Sequence, residues 1–281
     1  MKFREVVPKH LIYKSGLPGM DYVINPYTGC SHGCVYCYAE FMRQFTGHKE
    51  DWGTFVDIKG YRKSLAVQYY VERSFMISSV TDCYNHAERK YQKTRGILKQ
   101  FINSECKVNI QTKSGLIIRD IEILKRIPSV QVSFSFSSLD WSFQKIMEPG
   151  ASSPAIKLDA LMKLHNAGIP VWVAISPVFP LLTDYKAIIQ ACRPYTNRFQ
   201  FENLKLRTLC RSKVLKLVDE HYPKAWPEYD WIYNQGGGDE YWSTLKKEIT
   251  AYCEQEKLDY EVAFDPDHKE RMEAGNAAKR T

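Results

Sequence analysis

Between residues 21 and 206, short runs of β-branched and aromatic residues alternate with longer segments in which apolar residues recur at helical spacing. Strands that alternate with helices usually pair in parallel through right-handed crossovers. Six such units are too few for an eight-stranded barrel, so the pattern predicts an α/β fold built as a partial (β/α)6 barrel. The predicted strands are residues 21–25, 75–80, 107–112, 130–137, 170–176 and 199–206.

Two helices within this region are well marked. Residues 88–102 place five apolar side chains roughly on one face and are predicted as one helix. A second helix begins at Ser153-Pro154, an N-cap residue followed by a first-turn proline, and ends at Gly168. Its apolar stripe consists of Leu158, Leu161 and Leu164. An additional strand over residues 55–59 is expected at a sheet edge.

The alternation of strands and helices stops near residue 206. Helical patterns follow at 212–221 and 240–256, separated by Trp226-Pro227 and by the glycine run 236–238. We therefore expect an N-terminal segment (1–20), a barrel (21–206) and a helical C-terminal cap (207–281).

The composition is that of a globular chain with a large core, since 44% of its 281 residues are hydrophobic. The chain has no run of 18 apolar residues, and its N-terminus lacks the apolar region of a signal peptide, so we expect a cytoplasmic protein without a membrane span. The net charge of 39 − 32 = +7 favours an anionic partner such as nucleic acid. Solvated helix faces explain the basic clusters at 89–99 and 205–216 equally well.

Three cysteines within eight residues, Cys30, Cys34 and Cys37, are the strongest chemical feature of the chain. Soft thiolates at close spacing select zinc or an iron–sulfur cluster. A zinc site would need a fourth ligand, either His32, which is poorly placed within the same short loop, or a distant cysteine. Three thiolates on a four-iron cluster instead leave one iron open for chemistry. The other five cysteines show no paired spacing and are expected to be mostly core thiols.

The run Cys-x3-Cys-x-aromatic-Cys, with Tyr36 as the aromatic residue, resembles the signature of the radical S-adenosylmethionine (SAM) superfamily. Within that superfamily the chain resembles the spore photoproduct lyase-like branch, also described as DNA repair photolyase-like, and looks closest to the radical SAM mobile pair proteins. The segments that carry the wider resemblance are 23–30, 80–84, 94–98, 111–120, 148–150 and 167–171.

This resemblance implies a [4Fe–4S] cluster on the three cysteines whose open iron binds SAM. One electron then cleaves SAM to a 5′-deoxyadenosyl radical, which abstracts hydrogen from an organic substrate. A low-potential donor such as flavodoxin or ferredoxin would supply the electron. The branch makes nucleic acid a candidate substrate, and the mobile pair subgroup makes a co-encoded radical SAM protein a candidate partner.

Polar residues follow five consecutive predicted strands, at the end of the sheet where parallel β/α folds bind ligands. Each alone could be a cap or a turn residue, but together, beside the cysteines, they favour a shared site for SAM. Lys113 is the candidate partner of the SAM carboxylate. The other candidate SAM-binding residues are Asp82, Ser135 and Ser137 at the ribose, Tyr36, Val173 and Ala174 at the adenine, and Thr81 and Ser176 at neighbouring strand ends.

Tyr36 and Tyr38 stand at the positions of tyrosines that help relay a hydrogen atom in the lyase that this branch resembles. That lyase has its hydrogen-donating cysteine just before a Ser-Asp pair, whereas here Cys83 follows Asp82. The difference argues against photoproduct repair as the reaction. Cys83 is either a radical relay or a packed thiol.

The sequence therefore predicts a radical SAM enzyme. The alternative is a non-catalytic zinc or iron–sulfur module that senses redox state or scaffolds a partner.

Overall fold

Two sheets make up the β-structure of the chain, and the larger one carries the six predicted barrel strands. The computed structural model describes residues 1–61, 64–206 and 208–264. The strands in this part are β1 (Lys2–Val6), β2 (Ile12–Lys14), β3 (Tyr22–Ile24), β4 (Tyr27–Thr28), β5 (Phe55–Lys59), β6 (Ser74–Ile77), β7 (Lys107–Thr112), β8 (Ser129–Phe136), β9 (Val171–Val178), β10 (Arg198–Asn203) and β11 (Asp259–Ala263).

The larger sheet has the strand order β11-β10-β9-β8-β7-β6-β3-β2. All neighbouring pairs from β3 to β11 are parallel, and only β2 runs antiparallel to its neighbour β3. The six predicted strands correspond to β3 and β6–β10, so the parallel α/β fold is confirmed. Because β2 and β11 form the two edges, the described strands make an open, partial barrel.

The C-terminal region contains a strand that the sequence pattern did not predict. β11 pairs in parallel with β10, from Arg198 opposite Asp259 to Glu202 opposite Ala263. The predicted helical cap therefore also contributes a strand to the sheet. Two of the five residues in β11 are acidic and none is buried, so the segment lacks the apolar run by which the other strands were identified.

The smaller sheet has the order β1-β5-β4. β5 coincides with the strand predicted at 55–59, but it lies between two strands of this second sheet and is not at the edge of the barrel. The predicted N-terminal segment 1–20 contributes a strand to each sheet, β1 to the smaller one and β2 to the larger one.

The helix predicted at 88–102 is interrupted, because Gln92 has a positive φ of 48°. The buried carboxylate of Glu88 accepts hydrogen bonds from Thr94 N–H at 2.9 Å and from Arg95 N–H at 3.1 Å. The Glu88 side chain thereby caps the start of a second helix within the predicted range. Because the carboxylate must reach these N–H groups, the chain bends back after the first helical turn. The resulting elements are α1 (Glu88–Tyr91), α2 (Lys93–Leu98) and a 3-10 helix (Lys99–Phe101).

The helix predicted after Ser153-Pro154 is confirmed: Ser153 Oγ accepts from Ile156 N–H at 3.3 Å, and Gly168 has a positive φ of 75°. Trp226-Pro227, expected to separate two helices, instead begins a further one. Within the described residues, no helix is long and apolar enough to cross a membrane. The remaining helices are α3 (Ile121–Leu124), α4 (Trp141–Met147), α5 (Pro154–Asn166), α6 (Tyr185–Cys192), α7 (Thr208–His221), α8 (Trp226–Asn234) and α9 (Gly238–Gln255).

Candidate active site at the cysteine loop

The loop between β4 and the 3-10 helix Tyr38–Phe45 carries the three cysteines. Val35 N–H donates to the Met147 carbonyl oxygen at 3.0 Å, and Gly150 N–H donates to the His32 carbonyl oxygen at 2.8 Å. A Cβ atom on Gly150 would collide with the Ser31 carbonyl oxygen, so this close approach requires glycine. The segment that follows α4 therefore holds the cysteine loop on one side.

Asp82 joins the cysteine loop to the end of β7. Its Oδ1 accepts from Tyr84 N–H and from the Thr112 hydroxyl, both at 2.8 Å. Its Oδ2 accepts from Lys113 N–H at 2.8 Å and lies 3.4 Å from His32 Nδ1. Both oxygens of this predicted ribose ligand are thus already engaged by the protein.

All three thiols of the loop are free, with Cys30 buried and Cys34 and Cys37 partly buried. Burial raises the pKa of Cys30 to about 12 and holds the pKa of Cys34 well above its usual value. Such thiols keep their protons until a metal replaces them.

The donor set of three soft sulfur atoms fits an iron–sulfur cluster. In the described part of the chain, no three His, Cys, Asp or Glu side chains converge closely enough to hold one metal ion. A cluster does not need that spacing, because it bonds each thiolate to a different iron.

Strand-end residues that are distant in the sequence meet at the carboxyl ends of β7, β8 and β9. Lys113 Nζ donates to Ser135 Oγ at 2.6 Å and to the Ser176 carbonyl oxygen at 3.4 Å. Ser135 Oγ donates to the same carbonyl oxygen at 2.9 Å. Ser176 Oγ donates to Glu202 Oε2 on β10 at 2.5 Å. The structure therefore brings together three of the predicted SAM-binding residues.

Glu148, a buried carboxylate next to these strand ends, is absent from the set of predicted site residues. Its Oε1 accepts from the Tyr36 hydroxyl and, at 2.9 Å, from Ser137 Oγ. Its Oε2 accepts no hydrogen bond from the described residues, but it lies 3.7 Å from Lys157 Nζ. Glu148 thus connects the aromatic residue of the cysteine motif to a buried lysine.

Lys157 is the second site residue that the sequence pattern missed. It is completely buried in α5, and its Nζ donates to the Ser135 carbonyl oxygen at 3.1 Å. A signal was present, because Lys157 stands four and seven residues before the buried Leu161 and Leu164 and so shares their face of the helix. A lysine on an apolar stripe indicates a paired interior charge.

Lys113, Lys157 and Glu148 form one cluster of charges, with Lys113 Nζ 4.0 Å from Glu148 Oε1. Burial opposes the ionisation of Glu148, but the two lysines hold the pKa of its carboxyl below the ordinary value. Burial likewise opposes the charge on Lys113, and the Glu148 carboxylate nevertheless holds the Lys113 pKa above its ordinary value. Burial lowers the pKa of Lys157, against the attraction of the Glu148 carboxylate. The formal charges of the three groups sum to 2 − 1 = +1, and Lys113, 15% exposed, is the member that an anion can reach.

The two tyrosines that flank Cys37 have different surroundings. Tyr36 is partly buried, with its ring 5.3 Å from that of Phe179 and 5.8 Å from Lys113 Nζ. Tyr38 is 45% exposed and donates its hydroxyl to the Ser79 carbonyl oxygen. Tyr36 is therefore part of the buried charge cluster, whereas Tyr38 lies at the surface.

Cys83 is fully buried in the main hydrophobic core, and burial holds its pKa well above the ordinary value. A thiol in this position packs as a small apolar side chain, and the role of Cys83 as a radical relay stays a prediction. Thr81 Oγ1 donates to the Gly29 carbonyl oxygen at 2.6 Å and so braces the start of the cysteine loop. Val173 and Ala174 are buried in β9, where Ala174 pairs with Ser135 of β8.

Comparison with known proteins places these features in a family. The family model described as Radical SAM superfamily matches residues 24–189. An uncharacterised protein of Methanocaldococcus jannaschii is 33% identical over 252 residues, which cover 88% of this chain and 94% of that protein.

Two solved structures share the fold at low identity. Spore photoproduct lyase complexed with dinucleoside spore photoproduct has a TM-score of 0.66 at 15% identity, covering 94% of this chain and 82% of that one. Streptococcus suis SuiB bound to S-adenosylmethionine has a TM-score of 0.55 at 15% identity, covering 88% of this chain and 50% of that one.

Proposed function

This chain belongs to the Radical SAM superfamily, and we propose on that basis that it is an enzyme that abstracts hydrogen from an organic substrate. Bound together, a reduced [4Fe–4S] cluster and SAM supply the 5′-deoxyadenosyl radical for that step. The observation that carries the proposal is the set of three free thiols in one loop, whose Tyr36 donates a hydrogen bond to Glu148 of the buried charge cluster.

Cys30, Cys34 and Cys37 would each hold one iron of the cluster. Lys113 would bind the carboxylate of SAM, because the charge cluster has one more cation than anion and Lys113 is its accessible member. The carboxylate of SAM, bound at Lys113, would neutralise this excess positive charge. The loop segments around the thiols would keep water from the radical.

The remaining predicted residues divide into those that face a ligand and those that brace the site. We propose that Ser135, Ser137 and Ser176 contribute hydroxyl or carbonyl groups to the SAM site. Asp82 and Thr81 already bind backbone groups of the neighbouring loops, so their proposed part is to hold these loops in place. Direct contacts to SAM from Asp82, Tyr36, Val173 and Ala174 stay predictions.

We further propose nucleic acid as the substrate class. Support comes from the net charge of +7 and from the fold shared with a lyase whose complex holds a dinucleoside photoproduct. The exposed Tyr38, one residue after Cys37, is suited to contact a substrate outside the buried cluster. A flavodoxin or a ferredoxin is the proposed electron donor, and a co-encoded radical SAM partner stays a prediction.

An anaerobic turnover experiment tests the enzyme class. Protein reconstituted with iron and sulfide is mixed with dithionite and SAM, and 5′-deoxyadenosine is quantified by chromatography. We expect 5′-deoxyadenosine from the parent protein and none from Cys34→Ala. An intact cluster that forms none would instead support the redox-sensing module.

The proposed role of Lys113 is tested by SAM titration of the same reconstituted protein. Lys113→Ala should bind SAM at least about tenfold more weakly, because a charge-assisted hydrogen bond is lost. An unchanged affinity would remove Lys113 from the SAM site without affecting the assignment of the thiols.

A further inference from the structure

We propose that an open cleft beside the cysteine loop binds a segment of single-stranded polynucleotide. This inference rests on the proposed nucleic-acid substrate and adds the place where the strand docks. The cleft has a volume of about 600 Å³, which is within the range of ligand sites in proteins. Residues that line it include His86, Arg89, Ser114, Trp141, Gly150 and Ile156.

The cleft shares a wall with the cysteine loop. His86 N–H donates to Ser31 Oγ at 2.8 Å, and Gly150 N–H donates to the His32 carbonyl oxygen at 2.8 Å. The imidazole rings of His86 and His32 are 6.1 Å apart. Because Ser31 and His32 lie between two of the thiols in sequence, a strand held in the cleft would run directly beside the proposed metal centre.

An aromatic surface is available on one side of the cleft. Trp141, the first residue of α4, is 45% exposed, and Lys145 Nζ lies 5.9 Å from the centre of its ring. Ile156, in the first turn of α5, is 52% exposed. An exposed indole with a cation beside it suits a stacked base whose phosphate approaches the lysine.

The charge of the cleft favours phosphate groups. Arg89 is exposed, and among the described residues its guanidinium has neither a hydrogen-bond partner nor an ion pair. The adjacent Glu88 does not neutralise it, because that carboxylate is buried and lies 2.6 Å from Arg119 Nη2. Asp140, next to Trp141, accepts a hydrogen bond from Ser142 N–H and keeps its negative charge, but it is not among the residues that line the cleft.

The shape of the cleft, its exposed indole and its nearby cations together favour a nucleotide as the ligand. A concave site with one exposed indole and two nearby cations matches one nucleotide unit, base against Trp141 and phosphate near Arg89 or Lys145. A double helix keeps its bases stacked inside and must unstack and unpair one to present it, so a single strand offers a base to the indole at a lower free-energy cost.

Fluorescence anisotropy with a short, labelled oligothymidylate tests the proposal on the reconstituted full chain. Trp141→Ala should weaken binding about tenfold, because one base loses its stacking partner. Arg89→Ala should make the plot of log affinity against log salt concentration less steep, by about the slope that one phosphate contact contributes. Lys107→Ala and Tyr69→Ala are matched controls, since they remove an exposed cation and an exposed aromatic ring that do not line the cleft.

Binding by the parent protein that neither Trp141→Ala nor Arg89→Ala weakens would overturn the cleft and leave the nucleic-acid substrate intact. If the parent protein does not bind the oligonucleotide, both the cleft and the nucleic-acid substrate are refuted. Formation of 5′-deoxyadenosine would still show that the protein is a radical SAM enzyme. Slower reduction of the variants by flavodoxin, with unchanged oligonucleotide binding, would assign the cleft to the electron donor and also refute the proposal.

Discussion

Replacing Lys157 with methionine tests whether the buried charge cluster controls anion binding at Lys113. Methionine fills a similar space without the charge. Lys157 Nζ lies 3.7 Å from Glu148 Oε2, and Lys113 Nζ lies 4.0 Å from Glu148 Oε1. Because these distances are similar, Glu148 divides its negative charge between the two lysines. Without Lys157, the carboxylate would neutralise Lys113 alone.

The magnitude follows from these distances. At about 4 Å and an effective dielectric constant of about 20, each attraction is about 4 kcal/mol. Lys157→Met lowers the formal charge of the cluster from 2 − 1 = +1 to zero. If about a third of one attraction is felt at the anion site, SAM loses about 1.4 kcal/mol, or about tenfold in affinity. Glu148→Gln raises the charge to two, and the double variant restores the original net charge.

Anaerobic calorimetric titration of SAM into reconstituted protein measures the effect. We expect Lys157→Met to bind about tenfold more weakly, although Lys157 is not proposed to touch SAM, and we expect the double variant with Glu148→Gln to regain most of the affinity. Lys163→Met, on an exposed position of the same helix, should bind as the parent does.

Iron content and thermal unfolding, measured for every variant, separate this effect from damage to the fold. Removing one partner of a buried pair costs about 3–5 kcal/mol of stability, and the double variant leaves Lys113 without the Glu148 carboxylate, so the stability of both variants is measured. A folded, iron-loaded Lys157→Met protein with the parent's SAM affinity would refute the charge argument. A double variant as weak as the single one would show that packing matters instead.

Three further predictions concern single residues. Gly150→Ala should reduce the iron bound after reconstitution, because the added Cβ would collide with the Ser31 carbonyl oxygen; full iron content would contradict that contact. Cys83→Ala should lower the free energy of unfolding by about 1 kcal/mol and leave product formation and isotope exchange into SAM unchanged, whereas loss of either would support the relay. Glu88→Gln should lower the free energy of unfolding in urea by about 1–3 kcal/mol, because a buried cap of α2 loses its charge, and the exposed Glu122→Gln should have little effect.

Local patterns in the sequence were sufficient for the six predicted strands of the barrel, β3 and β6–β10. β7 coincides with its predicted range, because its β-branched and apolar residues alternate within six positions. The start of α5 was equally local, since an N-cap serine and a first-turn proline act within one turn. The cysteine triad also needed no tertiary information, because all three thiols lie within one short loop.

Features that depend on partners far away in the sequence were missed or misplaced. The helix predicted at 88–102 breaks at Gln92 because buried Glu88 caps the following turn, and periodicity does not report such a contact. β5 was correctly predicted as a strand, but its place in a second sheet was not. That place depends on pairing with β1, in which Lys2 lies opposite Phe55, more than fifty residues later in the sequence.

By itself, the sequence determined the parallel α/β fold and the close spacing of the three thiols on which the proposed metal chemistry depends, because both are short-range patterns. Only the tertiary structure decided how the site is charged. Lys157 from α5, Glu148 from the segment after α4 and Lys113 from the end of β7 meet around Tyr36, and no spacing along the chain predicts that three elements converge. Burial then makes the charges interact strongly, because little water remains between them to screen them.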